Sequence, residues 1–281
     1  MAAVDSVTAG DWQHREAGEN FPVALRVLPA RYRERLHAVY AYARTVDELG
    51  DSYPGDRVAA LLEMRAGVAA LWAGQGTTDP VLSALDRVRR DCDLDEQPFQ
   101  DLIEANLVDQ RVATYPTVDD LVGYCRLSAD PVGRIVLQVF GQSTPQRAAL
   151  SDRVCTALQI VEHLQDVAED RRAGRVYLPQ ESLSGYGVPE SDLDASRASM
   201  ALRRLILAEA DRAETMLREG SALVGQLHGW ARLAVAGFTA GGLATVAALR
   251  RTEGDVMAHD ASPRKRDILR YAAALTIRGR A

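Results

Sequence analysis

The sequence predicts an all-α fold in a single domain, and three observations predict it. Helix formers (Ala, Leu, Arg and Glu) dominate the 281 residues, of which 47% are apolar and 26% charged. No stretch alternates apolar and polar residues with period two, as a half-buried strand would. Prolines recur where helices can start or stop, because proline lacks the amide donor that a helix interior needs. No linker rich in Gly, Ser or Pro divides the chain, and no repeat of fixed period occurs. One domain is therefore expected over 1–281, with residues 1–18 poorly ordered.

The elements follow in order. Pro29 opens a helix over 30–50, Pro54 precedes one over 56–73, and Pro80 lies in the first turn of one over 78–91. Pro98, Pro116, Pro131 and Pro145 head helices over 98–114, 117–128, 131–141 and 145–173. Pro179 and Pro189 mark a loop. The proline-free span beyond it predicts two long helices, 192–219 and 222–250, broken at Glu219-Gly220-Ser221. Pro263 precedes a last helix over 264–277. Within 222–250, the uncharged stretch from Leu233 to Leu249 is rich in Ala and Gly and too weakly apolar for a membrane span, so it reads as a buried core helix.

Charge and cysteine usage exclude several classes. The net charge is −6, so the chain has no bulk attraction for nucleic acid, and no nucleic-acid partner is expected. Any anionic ligand needs a local basic patch or bridging cations. Cys92, Cys125 and Cys155 are odd in number and widely spaced, which predicts buried thiols in a reducing compartment. Asp5, Asp11, Glu16 and Glu19 interrupt the first 30 residues and no apolar run occurs there, so no secretory signal and a cytoplasmic location are expected.

Two acidic helices carry the chemistry. In the first, Tyr40, Arg44, Asp47 and Asp51 fall within an arc of about 60° beside the apolar positions Leu36, Val39, Ala43 and Val46. Asp47 and Asp51 are i,i+4 neighbours, a spacing at which like charges repel. A divalent cation between them would remove that cost; a solvated edge with Arg44 neutralising Asp47 is the other reading. In the second, Gln159, Glu162, His163, Asp166, Glu169 and Asp170 share an arc of about 120°, which is also how an ordinary amphipathic surface helix looks. Recurrence favours the cation: Asp-x-x-x-Asp occurs twice, each time near arginines (Arg44; Arg171, Arg172, Arg175). Two facing carboxylate pairs suit Mg²⁺, which binds few carboxylates directly and leaves positions for phosphate oxygens.

Other motifs are weaker. Asp91-Cys-Asp93-Leu-Asp95-Glu96 begins like a calcium loop but has neither the glycine at its sixth position nor the glutamate at its twelfth. Glu34-x-x-His37 has di-iron spacing without a second copy.

Five segments together resemble the squalene/phytoene synthase family of isoprenoid synthases. They are Glu19-Asn-Phe-Pro-Val-Ala, Ala41-Tyr-Ala-Arg-Thr-Val-Asp-Glu-Leu-Gly-Asp51, Tyr124-Cys-Arg-Leu-Ser-Ala-Asp-Pro-Val-Gly133, Asp166-Val-Ala-Glu-Asp170 and Gly174-Arg-Val-Tyr-Leu-Pro179. The first and third look like the hydroxysqualene synthase branch of the bacterial hopanoid pathway, whose substrate is presqualene diphosphate. The resemblance implies an isoprenoid synthase fold around a central apolar cavity. It implies that Asp47, Asp51, Asp166 and Asp170, with Glu169, hold more than one Mg²⁺ at the cavity mouth. Tyr40, Arg44, Gln159 and Arg175 are implied to hold the diphosphate. Tyr124, Ser128 and Gly133 are implied to line the cavity, and Glu162, Gln165 and Tyr177 complete the candidate substrate contacts.

Two departures stand out. The family's early basic segment is here Gly18-Glu19-Asn20, and its Asn and Arg ahead of the second aspartate cluster are here Glu162 and Gln165. Part of the usual diphosphate grip is missing, which fits one preassembled substrate better than two separate prenyl diphosphates. The expected chemistry is ionisation of the diphosphate, rearrangement of the cation and capture by water, with Glu162, His163 or Gln165 positioning that water. NADPH is not expected. The rival readings are a squalene or phytoene synthase condensing two prenyl diphosphates, a non-catalytic assembly factor on the same fold, and a plain helical interaction protein.

From Ala261 to Ala281 six basic residues stand against Asp267 alone, interleaved with Ile268, Leu269, Tyr271, Leu275 and Ile277. A docked terminal helix or a peripheral contact with anionic lipid at the inner membrane face is expected. Partner enzymes of the same pathway are a further expectation.

Overall fold

Prolines and short polar side chains set the helix starts, as the sequence predicts. In the computed structural model, which describes residues 28–278, Pro29 precedes α1 (Ala30–Asp51). Asp56 and Asp79 accept the Ala59 and Leu82 amides at the heads of α2 (Arg57–Trp72) and α3 (Pro80–Cys92). After α4 (Gln97–Asp109), Thr117 caps α5 (Val118–Ser128), which runs into α6 (Asp130–Val139). Thr144 caps α7 (Pro145–Gln165), followed by α8 (Val167–Arg172) and α9 (Gln180–Tyr186). Ser199 caps α10 (Met200–Gly220), and α11 (Ala222–Gln226), α12 (Gly229–Arg251) and α13 (Lys265–Arg278) complete the chain. No strand occurs among the described residues; the fold class is all-α. The Glu19 motif and Gly18-Glu19-Asn20 lie outside the described residues.

Four boundaries differ from expectation. The helix expected over 98–114 ends at Asp109, because residues 113–116 pair with the segment after α8: Val176 N–H donates to the Ala113 carbonyl at 2.8 Å and Gln180 N–H to the Tyr115 carbonyl at 2.9 Å. The helix expected over 145–173 breaks at Asp166 (φ −98°, ψ 12°), and its second part is α8. The helix expected over 192–219 starts only at Met200, after a short 3-10 turn at Glu190–Asp194. The helix expected over 222–250 divides at Leu227 and His228, where the Gln142 amide bonds both backbone groups of His228 at 3.1 Å. Helix α9, unforeseen, follows Pro179 and stops at Gly187, whose φ of 65° suits glycine.

The buried apolar residues form two clusters. One joins α1–α4, α6 and the first half of α12 around Leu36, Tyr42, Phe99 and Ile135. The other joins α5, α7, α10 and the second half of α12 around Cys125, Ile160, Leu202 and Leu249. Helix α12 therefore serves both cores. It is long and apolar enough to cross a membrane, but 72% of its most apolar window is buried inside the protein, which accounts for its composition. All three cysteines are free thiols, with Cys125 buried and the other two partly so.

Candidate active site

A cleft of about 280 Å³ opens along the seam between the two cores: Leu102 of one and Ala105, Tyr124 and Tyr177 of the other stand on its wall. Its polar lining comes from five places in the fold. Helix α1 contributes Asp47 and Asp51; α4 contributes Asn106 and Asp109; α5 contributes Tyr124 and Ser128. Helix α7 contributes Gln159, Glu162 and His163, and the stretch from the α7–α8 break onward contributes Asp166, Asp170, Arg175 and Tyr177. Both Asp-x-x-x-Asp motifs thus meet in one space, from widely separated stretches of the sequence.

Close helix packing holds the first motif. At Gly50 a Cβ would run into the Asn106 side chain, so glycine there lets α1 and α4 approach. Asn106 then donates to Asp47 Oδ1 at 3.2 Å, and Gln110 donates to the Gly50 carbonyl at 3.0 Å. Asp47 is exposed to solvent on the cleft wall. Loss of hydration, with repulsion from Asp51 and Glu162, pushes its carboxyl up to about 7 against the Asn106 hydrogen bond and Arg44. Asp166 is pushed up to about 6, by burial first and then by Asp170 and Glu169.

The second motif is tied to the first by Arg175. Gly174, at φ 81°, turns the chain after α8 so that the Arg175 amide reaches the Asp170 carbonyl at 2.8 Å. The Arg175 guanidinium then bonds Asp51 Oδ1 at 2.8 Å. Its Nε is buried without a protein acceptor, as is the Ser128 hydroxyl oxygen without a partner. Two orphaned polar groups on a cleft wall mark a place for a polar ligand.

Between these motifs lies an aromatic layer. Tyr124 and Tyr177 both donate to Asp109, at 2.7 and 3.1 Å. His163 stacks on Tyr177 with ring centres 3.7 Å apart, and its Nε2 lies 3.3 Å from the Gln159 amide. Burial and the adjacent Asp109 carboxylate hold both phenols above their ordinary range, so both keep their protons.

The structure therefore gathers eleven candidates at one cleft: Asp47, Asp51, Tyr124, Ser128, Gln159, Glu162, His163, Asp166, Asp170, Arg175 and Tyr177. Five lie elsewhere. Arg44 bonds Glu48 at 3.3 Å instead of Asp47. Gln165 turns away to the Ala261 carbonyl at 3.1 Å, across the start of the C-terminal segment. Gly133 is a packing point, where a Cβ would meet Ser151 Oγ and Cys155 Sγ of α7. Tyr40 and Glu169 stand outside the lining, Glu169 exposed to solvent. Sequence reasoning missed Asn106 and Asp109, two polar residues at i,i+3 in a helix that also carries Gln97, Gln100, Asp101 and Glu104, so the pattern does not single them out.

A profile of the squalene/phytoene synthase family matches residues 14–270. The chain belongs to that family. A hydroxysqualene synthase from Rhodopseudomonas palustris is 35% identical over 217 residues, covering 76% of this chain and 72% of that protein. A presqualene diphosphate synthase from the same organism is 33% identical and covers 70% and 71%. The crystal structure of squalene synthase HpnC from Alicyclobacillus acidocaldarius superposes with a TM-score of 0.79 at 41% identity, covering 87% of this chain and 94% of that one. The chain is thus an isoprenoid synthase, an enzyme of prenyl diphosphates. Both Asp-x-x-x-Asp motifs on which the sequence resemblance rests stand in its cleft.

Proposed function

We propose that the synthase converts presqualene diphosphate to hydroxysqualene in a Mg²⁺-dependent reaction. The observation that carries this reading is the charge of the cleft wall. Asp47, Asp51, Asp109, Glu162, Asp166 and Asp170 line it, and Arg175 is the single guanidinium among the described lining residues. Such a wall repels a diphosphate unless cations enter with it.

The donor set fits Mg²⁺. Among the described residues no three carboxylate, imidazole or thiol groups close on one point as a finished cage. That suits an ion held by one or two carboxylates and completed by phosphate oxygens. Asp47 and Asp51 on α1, and Asp166 and Asp170 around the α7–α8 break, are the groups that would hold it. Mg²⁺ supplies the Lewis acidity that draws the diphosphate away from carbon.

The chain's own residues supply the rest. The orphaned Arg175 Nε and Ser128 hydroxyl offer donors to the departing diphosphate. Tyr124 and Tyr177 commit their protons to Asp109, so neither phenol offers a proton to the cleft, and their rings form part of its wall. Glu162 and His163 stand on the wall and are the candidates to position the water that captures the cation; Gln165, turned to Ala261, leaves that set. One cationic side chain suits one diphosphate, so a preassembled substrate is favoured over two prenyl diphosphates. An enzyme that condenses two allylic diphosphates must supply it. A cytoplasmic location is part of the proposal; the three free thiols suit a reducing compartment.

The test is incubation of the pure protein with presqualene diphosphate and Mg²⁺, with and without NADPH, followed by identification of the lipid. Hydroxysqualene in both samples is expected. Squalene formed only with NADPH, or turnover only from two prenyl diphosphates, would overturn the reading.

A further inference from the structure

Helix α13 is docked by one side only. Tyr271 and Leu275 pack against the cores, Asp267 pairs with Arg251 of α12 at 3.3 Å, and the Arg232 guanidinium donates to the Thr276 carbonyl at 2.7 Å. The opposite side is a strip at helical spacing: Arg266, Leu269, Arg270, Ala273 and Ile277, all exposed. Leu269 is 71% exposed and Ile277 69%, the highest values among the large exposed apolar side chains of the described residues. Arg264 and Lys265 extend the strip's charge at its start and are also exposed. Because the Arg232 bond sets the first turn of α12 beside the last turn of α13, the exposed Trp230 and Leu233 lie at the Ile277 end.

We propose that this face docks on an anionic lipid bilayer. Two features commit it to that occupant. First, the strip holds four exposed cations against Asp267, the one acid within α13, which pairs with Arg251 and, at 3.9 Å, with Arg266, so the strip keeps a positive excess on a chain whose net charge is −6. The sign suits an anionic surface. Second, the apolar residues are spaced along a helix edge instead of forming a groove, so they suit shallow insertion beneath headgroups, with Trp230 at the boundary. The segment leading into α13 is anchored beside the cleft, because Gln165, next to Asp166, holds the Ala261 carbonyl. The face and the cleft rim are thereby mechanically joined. The inference rests on surface charge and exposure and is independent of the reaction assigned to the cleft.

Truncation of α13 is a poor test, since Tyr271 and Leu275 belong to the packed interior. Two exposed variants are better. One combines Arg264→Glu, Lys265→Glu and Arg266→Glu; acidic residues at a helix start complement its dipole, so folding is retained. The other combines Leu269→Ser and Ile277→Ser. Co-sedimentation is measured with phosphatidylcholine vesicles, with and without phosphatidylglycerol, at low and high salt, and melting temperature serves as the folding control. The wild type is expected to sediment with anionic vesicles only, and less at high salt. Each basic residue near such a surface contributes about fivefold to binding, so loss of three weakens it on the order of a hundredfold, and the three added glutamates weaken the triple variant further. The serine variant should bind more weakly at both salt levels. Absence of wild-type binding at low salt, equal binding to neutral vesicles, or wild-type binding by both folded variants would overturn the proposal.

Discussion

Tyr124 on α5 donates its phenolic hydrogen to Asp109 on α4 at 2.7 Å, and the second oxygen of the same carboxylate takes the Tyr177 hydroxyl. One buried-side carboxylate therefore fixes two phenols on the cleft wall and joins α4, α5 and the segment after α8. Hydrogen bonds to a charged group are worth about 1.5–3 kcal/mol. Asp109→Leu, which removes both acceptors, is expected to lower kcat by about ten- to a hundredfold with a small change in KM. Asp109→Asn, which keeps one acceptor, should fall between. Steady-state turnover checks this, and near-UV circular dichroism reads the tyrosine packing. Equal turnover in all three proteins would remove the role assigned to Asp109.

Mg²⁺ and inorganic diphosphate should stabilise the protein cooperatively. Alone, diphosphate meets the six carboxylates of the cleft; alone, Mg²⁺ lacks phosphate oxygens to complete its shell. Together each supplies what the other needs, and a ligand that binds only the folded state raises its stability. The melting temperature with both is expected to exceed the sum of the separate shifts. Strictly additive shifts would count against a shared site.

The fold class was legible because helix periodicity and proline placement are local properties. Two of the four misplaced boundaries were not, because they depend on distant partners: residues 113–116 on the segment after α8, and His228 on Gln142. The same division holds for the site. Asp47, Asp51, Asp166 and Asp170 declare themselves by repeated spacing. Asp109 and Asn106 do not, since their importance arises only when α4 packs against α1 and α5. Gln165 illustrates the converse. Its place beside Asp166 puts it among the candidate contacts, but a carbonyl 96 residues away captures it.

Gly133 offers a separable test of packing against cavity lining. A Cβ there would meet Ser151 Oγ and Cys155 Sγ. Gly133→Ala is therefore expected to cost about 1–3 kcal/mol, the range for overfilled cores. In a background of Ser151→Ala and Cys155→Ala the oxygen and sulfur are gone, and most of that loss should disappear. Denaturant unfolding of the four proteins measures it. A loss of activity without a loss of stability would instead put Gly133 at the substrate.

The last prediction follows from the elevated carboxyl of Asp47. Its value in the folded protein, about 7, lies above the 3.8 of an ordinary aspartate, because the enclosing protein, Asp51 and Glu162 disfavour the charge. Below the ordinary value both states hold the proton, and folding is undisturbed. Between that value and about 7 the folded protein retains a proton that the unfolded chain has released, so stability declines as pH rises through this window. Above it the charged carboxylate is present in the fold and its full cost remains. Asp47→Asn removes that charge and keeps a partner for Asn106. In a metal chelator, the variant is expected to melt above the wild type at pH 8, with a smaller difference at pH 5, where native Asp47 is neutral and only ionisation of the unfolded chain, begun above 3.8, still disfavours the wild-type fold. Asp166, raised to about 6 chiefly by burial, should give the same pattern in Asp166→Asn, shifted about one pH unit lower. Saturating Mg²⁺ with diphosphate should reverse the order at pH 8, because the cation then rewards the charge that the metal-free fold penalises. Thermal melts at the two pH values, with chelator or with Mg²⁺ and diphosphate, decide it. A variant less stable than the wild type at pH 8 in chelator would show that Asp47 contributes to the fold through its charge, contrary to the role argued for it.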